Sequence, residues 1–169
     1  MTWYVVLVVL VGFERVAELV VSLRNAKWSF AQGGVESGRG HYPFMVVLHT
    51  GLLAGCLVEA FQRPFIPALG WTMFALVVLS QGLRWWCISV LGQQWNTRVI
   101  VVPGLHLVAR GPYKLLKHPN YVAVVIEGIA LPLVHTGWIT AVVFTVLNIP
   151  LLAVRIRSEE AALSAALVK

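Results

Sequence analysis

The sequence predicts an all-α integral membrane protein, and composition is the first observation that predicts it. Of the 169 residues, 59% are hydrophobic and 12% are charged, and the mean hydropathy is +0.80. A soluble domain with this composition would leave a large apolar surface in contact with water. The length of the apolar stretches and the placement of the basic residues lead to the same fold class.

Five apolar stretches are long enough, or nearly long enough, to cross a hydrocarbon core that requires about 20 helical residues. They are residues 2–23, 43–60, 65–90, 119–135 and 137–156. The third exceeds the required length, so we expect it to tilt or to extend past the interface. Because almost nothing separates the last two, we expect a tight antiparallel helical hairpin there.

Eleven of the 13 Lys and Arg residues lie near the end of the first, third or fifth stretch or after it. By the positive-inside rule, the N-terminus is expected outside, with the C-terminus and residues 91–118 in the cytoplasm. A basic face against anionic lipid headgroups explains the net charge of +6, so no nucleic acid is expected as a partner. The first stretch lacks a basic n-region and carries Glu14, Arg15 and Glu18, so we expect it to be retained.

Two features outside the helices limit the possible chemistry. Cys56 and Cys87 lie in separate apolar stretches without a CxxC motif or a neighbouring His, so neither a disulfide nor a metal site is expected. The segment from Gly92 to Arg110 is too polar to span a membrane and too apolar for a free linker. We expect it to lie along the interface, partly extended, as a cover over the ends of the spans.

Residues 111–121, Gly-Pro-Tyr-Lys-Leu-Leu-Lys-His-Pro-Asn-Tyr, form the most informative motif of the chain. Pro119 disfavours a helical conformation at His118 and suits a first helical position, so His118 is predicted at a helix N-terminus. The unpaired backbone N–H groups there favour an anion such as an amino-acid carboxylate. Taken singly, His118 could be an interfacial side chain, and Tyr113 and Tyr121 could belong to an aromatic belt. Their clustering favours a site.

A second polar motif, residues 155–160, ends the last apolar stretch at the same predicted face. On a continuing helix, Arg155 and Glu159 are four residues apart, a spacing that permits an ion pair. Neighbouring side chains on a helix point about 100° apart. We therefore expect one of the two adjacent glutamates to face a pocket squarely, with Glu160 preferred over Glu159. The structural alternative is a solvated helix end with extended arginine side chains.

These residues resemble the isoprenylcysteine carboxyl methyltransferase family and the related membrane phospholipid methyltransferases. The hallmark of that group is Gly-Pro-Tyr, then Arg-His-Pro-x-Tyr, then a Glu-Glu pair after the last helical hairpin. The resemblance covers about residues 91–168, with Lys117 in place of the usual arginine and Ala123 where many members have glycine. Asn120 and the short C-terminus are similar to the bacterial branch, so a bacterial cytoplasmic membrane is expected.

The resemblance implies an S-adenosylmethionine-dependent O-methyltransferase, organised as one domain. Residues 91–169 would be its methyltransferase core, and residues 1–90 would lie on the lipid-substrate side. The implied cofactor-binding residues are Tyr113, Leu115, His118, Pro119, Asn120, Tyr121, Glu159 and Glu160. Glu160 would accept the ribose hydroxyls, His118 would take the donor carboxylate, and the tyrosines would pack on adenine or face the sulfonium. The implied catalytic arginine is Arg157, or Arg155 in its place, and it would orient an anionic acceptor.

The motif does not choose between two kinds of lipophilic acceptor. A prenylcysteine-like carboxylate is already ionised near neutral pH, whereas a long-chain alkylpyrone or alkylresorcinol hydroxyl requires stabilisation of its oxyanion. Ionisable residues inside the spans should face the bundle interior or a cavity and are the predicted substrate-binding residues. They are Glu14, Glu18, His49, Arg84 and Glu127. Structural pairing, for example of Arg15 with a glutamate, is an equal alternative, and Arg84 could instead be an interfacial anchor.

Two further classes of function stay open from the sequence. A membrane NADPH-dependent reductase of the sterol-reductase type has a similar architecture and needs no Rossmann fold, so the absence of a G-x-G-x-x-G motif argues weakly against it. A small noncatalytic lipid-binding membrane protein is the other class. The three functions differ in whether S-adenosylmethionine, NADPH or neither stabilises the protein.

Overall fold

The computed structural model describes residues 1–167 as five α-helices joined by short connections and one longer segment. Their bounds are α1 Thr2–Ala31, α2 Tyr42–Ala60, α3 Pro67–Leu91, α4 Pro119–Leu133 and α5 Trp138–Leu167. Each predicted stretch corresponds to one helix, and the predicted hairpin of α4 and α5 is present. The outer helices are longer than predicted, because α1 continues past residue 23 and α5 past residue 156.

Three helices, α2, α3 and α5, are long and apolar enough to cross a membrane. The apolar helix α4 has 15 residues, which corresponds to about 22 Å at the helical rise. Helix α1 has 30 residues but carries Glu14, Arg15 and Glu18 near its middle. The prediction of an all-α membrane protein is confirmed.

The two ends of the bundle carry different chemistry. One end, which we call the motif end, holds the start of α4 and the last turns of α5, where His118 lies 3.3 Å from Glu160. The other end, the hairpin end, holds the turn between α4 and α5, where the Thr136 hydroxyl donates to the Pro64 carbonyl at 2.7 Å. Odd-numbered helices therefore finish at the motif end and even-numbered helices begin there.

The apolar core lies in the half of the bundle near the hairpin end. Its buried members include Tyr4, Leu131 and Phe144. The Tyr4 hydroxyl donates to the Leu131 carbonyl at 3.0 Å, which joins α1 to α4. Gly128 permits close packing of α4 against α5, since a Cβ there would lie 2.1 Å from the Phe144 ring.

The segment Gly92–Val102, which we call the strap, crosses the motif end. Its strand β2 (Val99–Val101) pairs antiparallel with β1 (Val35–Ser37), in the register Val35–Val101 and Ser37–Val99. The prediction of a partly extended segment is confirmed, whereas the pairing with the α1–α2 connection was not predicted. The Asn25 amide donates to the carbonyls of Gly92 at 3.0 Å and Trp95 at 2.7 Å, so α1 holds the strap in place.

Candidate active site

Two cavities lie one behind the other at the motif end. The motif-end cavity has a volume of about 370 Å³ and lies between the strap, the start of α4 and the end of α5. The intrabundle cavity, of about 160 Å³, extends from there between the helices. Four residues line both cavities. These junction residues are Trp95, Asn120, Tyr121 and Arg155.

His118 immediately precedes α4, which begins at Pro119. The prediction that His118 lies at a helix N-terminus, with the proline in the first helical position, is therefore confirmed. The imidazole stacks on the Tyr121 ring with the ring centroids 5.4 Å apart and the planes at 25°. This stacking places His118 and Tyr121 together on the wall of the motif-end cavity.

Both glutamates of α5 contact the motif. The Tyr121 hydroxyl donates to the Glu159 carboxylate, while Glu160 Oε1 lies 2.6 Å from Lys117 Nζ and 3.3 Å from His118 Nε2. Of the two, Glu159 lines the motif-end cavity and Glu160 does not, so the structure agrees with the expectation that one glutamate faces the pocket but not with the preference for Glu160. His118 lies between the two carboxylates, 3.8 Å from Glu159 Oε1 and 3.3 Å from Glu160 Oε1.

Arg155 is buried at the junction, with 7% of its surface exposed. Its Nε donates to the Tyr121 hydroxyl at 3.0 Å, and its Nη2 donates to the carbonyl of Thr97 in the strap. Within residues 1–167, no carboxylate lies within ion-pairing distance of this guanidinium, and the permitted pair with Glu159 is not formed. Arg157 is exposed on the opposite face of α5 and lines neither cavity.

The other predicted cofactor residues differ in their placement. Tyr113 lines the motif-end cavity, and burial raises the pKa of its phenol, so the hydroxyl keeps its proton and can donate. Pro119 is fully buried and starts α4. Leu115 is 79% exposed and lines neither cavity, so the structure does not bring it to the predicted site.

Two junction residues carry buried polar atoms without a hydrogen-bond partner in the described part of the chain. They are the Asn120 Oδ1 acceptor and the Trp95 Nε1 donor. A buried polar group without a partner costs about 1–3 kcal/mol, so native proteins usually satisfy such groups. They lie on residues shared by the two cavities, where a ligand or a water molecule can supply the missing partners.

The predicted substrate-binding residues form a second polar group, which we call the intrabundle charge cluster. Arg84 pairs with Glu127 and lies 3.5 Å from Glu18 Oε1. Arg15 lies 3.0 Å from Glu18 Oε2 and 3.5 Å from Glu14 Oε2. The predicted structural pairing of Arg15 with a glutamate is therefore confirmed, and Arg84, 3% exposed, is not an interfacial anchor.

Part of this cluster also lines the intrabundle cavity. Arg15, Glu18 and Arg84 reach the cavity wall, as does His49 from α2. Glu14 does not, because its carboxylate turns toward the indole of Trp85. The structure thus combines the two alternatives that the sequence left open, since the same charges pair with one another and face a cavity.

Several site residues were missed by the reasoning from sequence. Trp95 and Thr97 lie in the strap, and Tyr42 and Met45 lie in the first turn of α2. None belongs to a recognisable motif. A tryptophan within a polar segment that follows a span was the available signal for Trp95, but Thr97 takes part through its backbone carbonyl, which the residue type does not reveal.

Both cavities are lined mostly by apolar side chains, with charged and polar groups converging at their junction and at the start of α4. An apolar pocket with a few convergent polar groups is the usual form of a ligand site. The family model described as isoprenylcysteine carboxyl methyltransferase (ICMT) matches residues 73–165. The chain belongs to this family, and membership implies a membrane methyltransferase. The match begins within α3, so it extends further upstream than the motifs that carried the resemblance.

Two bacterial relatives cover most of the chain. It is 38% identical over 170 residues to "Uncharacterized protein YpbQ" of Bacillus subtilis (strain 168), with all of both chains covered. It is 25% identical over 152 residues to an "Uncharacterized protein" of Haemophilus influenzae (strain ATCC 51907 / DSM 11121 / KW20 / Rd), covering 89% of this chain and 88% of that protein. No solved structure matches the chain.

Proposed function

We propose that the protein transfers a methyl group from S-adenosylmethionine to an oxygen of a lipophilic acceptor, at the junction of the two cavities. The supporting observation is that the motif-end and intrabundle cavities share Arg155, Tyr121, Asn120 and Trp95. A donor in one cavity and an acceptor in the other would meet at these four residues. Such positioning converts an encounter in solution into a reaction between held partners.

The side chains of the motif-end cavity suit a zwitterionic amino-acid group. Glu159 supplies a carboxylate at the cavity wall, and Glu160 lies behind it against Lys117 and His118. Lys117 supplies positive charge, and His118 and the N-terminus of α4 supply N–H donors. The carboxylates would hold an ammonium group or ribose hydroxyls. His118, Lys117 and the helix N-terminus would hold a carboxylate. The volume of about 370 Å³ lies within the usual range for ligand pockets.

Bound S-adenosylmethionine supplies an electrophilic methyl group, so the protein itself must mainly orient the reacting oxygen. Arg155 suits this task, because its buried guanidinium has no carboxylate partner among residues 1–167. A buried unpaired cation is costly, and an anionic oxygen would compensate it. Tyr121 and Thr97 hold the guanidinium in a fixed orientation. Arg155 is therefore the proposed catalytic arginine in preference to Arg157.

The acceptor side is mostly apolar. The intrabundle cavity is lined by Leu53 from α2, Val124 from α4 and Leu151 from α5, among others. These side chains would surround the hydrocarbon part of the acceptor while its oxygen points to Arg155. The oxygen is either a carboxylate, as in a prenylated cysteine, or the hydroxyl of a long-chain ring compound. With the motif end in the cytoplasm and the N-terminus outside, the soluble donor would enter from the cytoplasm and the acceptor from the bilayer.

Calorimetric titration of S-adenosylmethionine into the purified protein tests the donor site. We expect wild type to bind and His118→Ala to weaken binding at least about tenfold, because a hydrogen bond to a charged group contributes about 1.5–3 kcal/mol. Glu160→Ala should also weaken binding, since Glu160 Oε1 lies 3.3 Å from His118 Nε2. Lys114→Ala is the matched control. Lys114 is exposed and close to the motif but lines neither cavity, so its loss should leave binding unchanged.

Titration with NADPH in the same preparation separates the alternatives. Binding of NADPH without binding of S-adenosylmethionine would contradict the proposal and favour a reductase. Binding of neither by folded protein would favour a noncatalytic lipid-binding role.

A further inference from the structure

We propose that Glu18 and Arg84 form a second polar subsite in the intrabundle cavity, and that this subsite binds a neutral hydroxyl group of the lipophilic acceptor. The inference rests on the proposed function in taking an amphiphile as the occupant of this cavity. It adds a requirement on the acceptor, namely a hydroxyl on the hydrocarbon side of the oxygen that is methylated.

Two atoms that face each other carry the argument. Arg84 Nε and Glu18 Oε1 lie 3.5 Å apart, on side chains that are 4% and 6% exposed. Neither atom makes a hydrogen bond to any described residue, although Arg84 also pairs with Glu127 and Glu18 with Arg15. One oxygen placed beside them could lie within about 2.8 Å of both atoms. Both side chains line the intrabundle cavity, so a ligand that enters between the two atoms of this weak ion pair would find one donor and one acceptor.

The chemistry of the missing partner follows from those two atoms. A hydroxyl donates one hydrogen bond and accepts others, so it can satisfy Arg84 Nε and Glu18 Oε1 together. A carbonyl or ether oxygen would leave the carboxylate oxygen without a partner.

Charged groups fit this place poorly. The cluster holds three carboxylates, on Glu14, Glu18 and Glu127, against the two guanidinium groups of Arg15 and Arg84. An anionic group of the ligand would therefore be repelled by the excess negative charge of the cluster. A cation would be attracted by that excess but has no acceptor for the unpartnered Nε donors of Arg15 and Arg84. A neutral hydroxyl avoids both penalties.

The position of the subsite separates it from the reacting centre. Glu127, which holds Arg84, lies six residues after Tyr121 on α4, and this corresponds to about 9 Å along the helix. Both levels belong to the wall of one cavity, since Arg84 and Arg155 line it together. One molecule can therefore contact Arg155 with one oxygen and the subsite with another.

The test compares two uncharged probes that differ by one hydroxyl, 4-dodecylphenol and its methyl ether 4-dodecylanisole. Each is added at increasing mole fraction to phosphatidylcholine nanodiscs that contain the full-length protein, without S-adenosylmethionine. Ligand binding raises the midpoint of thermal unfolding with a dependence on concentration that gives the affinity. We expect wild type to bind the phenol about tenfold more tightly, the effect of a hydrogen bond to charged groups.

Two variants with the same change of charge locate this preference. Glu18→Leu and Glu14→Leu each leave two carboxylates and two guanidinium groups in the cluster, but Glu14 does not line the cavity. We expect Glu18→Leu to lose the preference for the phenol and Glu14→Leu to keep it. Equal binding of the two probes by wild type, or a preference that survives in Glu18→Leu, would overturn the subsite.

The phenol preference can be measured whether or not the protein binds S-adenosylmethionine. A phenol preference that depends on Glu18, in a protein that fails to bind S-adenosylmethionine, would support the hydroxyl subsite and contradict the proposed methyl transfer. Binding of S-adenosylmethionine without a phenol preference would contradict the hydroxyl subsite and leave the proposed methyl transfer supported.

Discussion

Charged and polar side chains are buried both at the hairpin end and in the motif half of the bundle, the half that contains the two cavities. The two regions differ in whether the protein supplies hydrogen-bond partners for these side chains. At the hairpin end, the Glu59 carboxylate accepts from the backbone N–H groups of Thr140 at 2.6 Å and Ile139 at 3.4 Å, and Arg63 lies 3.6 Å away. Glu59 thereby caps the start of α5 and has its partners within the protein. His135 Nδ1 is the exception at this end among the described residues.

In the motif half, by contrast, unsatisfied polar atoms border the cavities. Asn120 Oδ1 and Trp95 Nε1 lack hydrogen-bond partners at the junction, and in the charge cluster Glu18 Oε1 and Arg84 Nε have only each other, 3.5 Å apart and without a hydrogen bond. The comparison teaches that burial of charge does not by itself mark a site. A buried charge that the fold satisfies serves stability, whereas one that the fold leaves unsatisfied beside a cavity is available to a ligand.

The largest predicted effect separates two arginines of the same helix. Arg155→Met should lower methyl transfer by at least about a hundredfold, as for other groups that stabilise charge at a reacting centre. Arg157→Met should change it less than about twofold, since Arg157 is exposed. The measurement is the transfer of labelled methyl from S-adenosylmethionine into membrane lipids. Equal losses in both variants, at equal amounts of folded protein, would contradict the proposed role of Arg155.

The capping carboxylate should matter for stability and not for activity. Glu59→Leu removes the acceptor of two backbone N–H groups, so we expect a loss of about 3 kcal/mol in the free energy of unfolding. Methyl transfer per folded molecule should be unchanged. Denaturant unfolding in mixed micelles measures the first quantity, and a specific loss of activity at full stability would refute the division between the two ends.

Packing of the hairpin can be tested with two glycines. Gly128→Ala would place a Cβ about 2.1 Å from the Phe144 ring, so we expect a cost of about 2 kcal/mol from overpacking. Gly82→Ala, inside α3, has open space at the same position and should be neutral or slightly stabilising because alanine favours helix. The measurement is the midpoint of thermal unfolding of each variant. Equal shifts in both would contradict the close packing inferred at Gly128.

The smallest effect concerns the strap. The Ser22 hydroxyl contacts the Thr97 N–H at 2.9 Å and the Thr97 hydroxyl at 2.8 Å. Ser22→Ala should cost about 1 kcal/mol and increase hydrogen exchange of the strap amides. Ser164→Ala is the control, because that exposed hydroxyl contacts the Glu160 carbonyl of its own helix. Unchanged exchange in Ser22→Ala would show that this hydroxyl does not contribute to holding the strap.

The positions of the helices, and of His118 at the start of α4, were predictable from the chain. Apolar stretches bounded by polar residues determine helix positions locally, and Pro119 placed His118 at the start of α4 for a local reason. The division into a substrate side and a methyltransferase core, and the orientation in the membrane, stay predictions. The pairing of β1 with β2 could not be foreseen, since strands of three residues carry too little pattern to be recognised.

The sequence by itself determined the fold class, the two ends of the bundle and the identity of the polar motifs, because each depends on composition and short-range spacing. The tertiary structure decided which arginine faces the cavities, why both glutamates find partners and which buried charges remain unsatisfied. Those properties depend on the rotation of each helix about its axis and on backbone groups such as the Thr97 carbonyl. Neither is encoded in residue type or spacing, since both arise when the helices pack against one another.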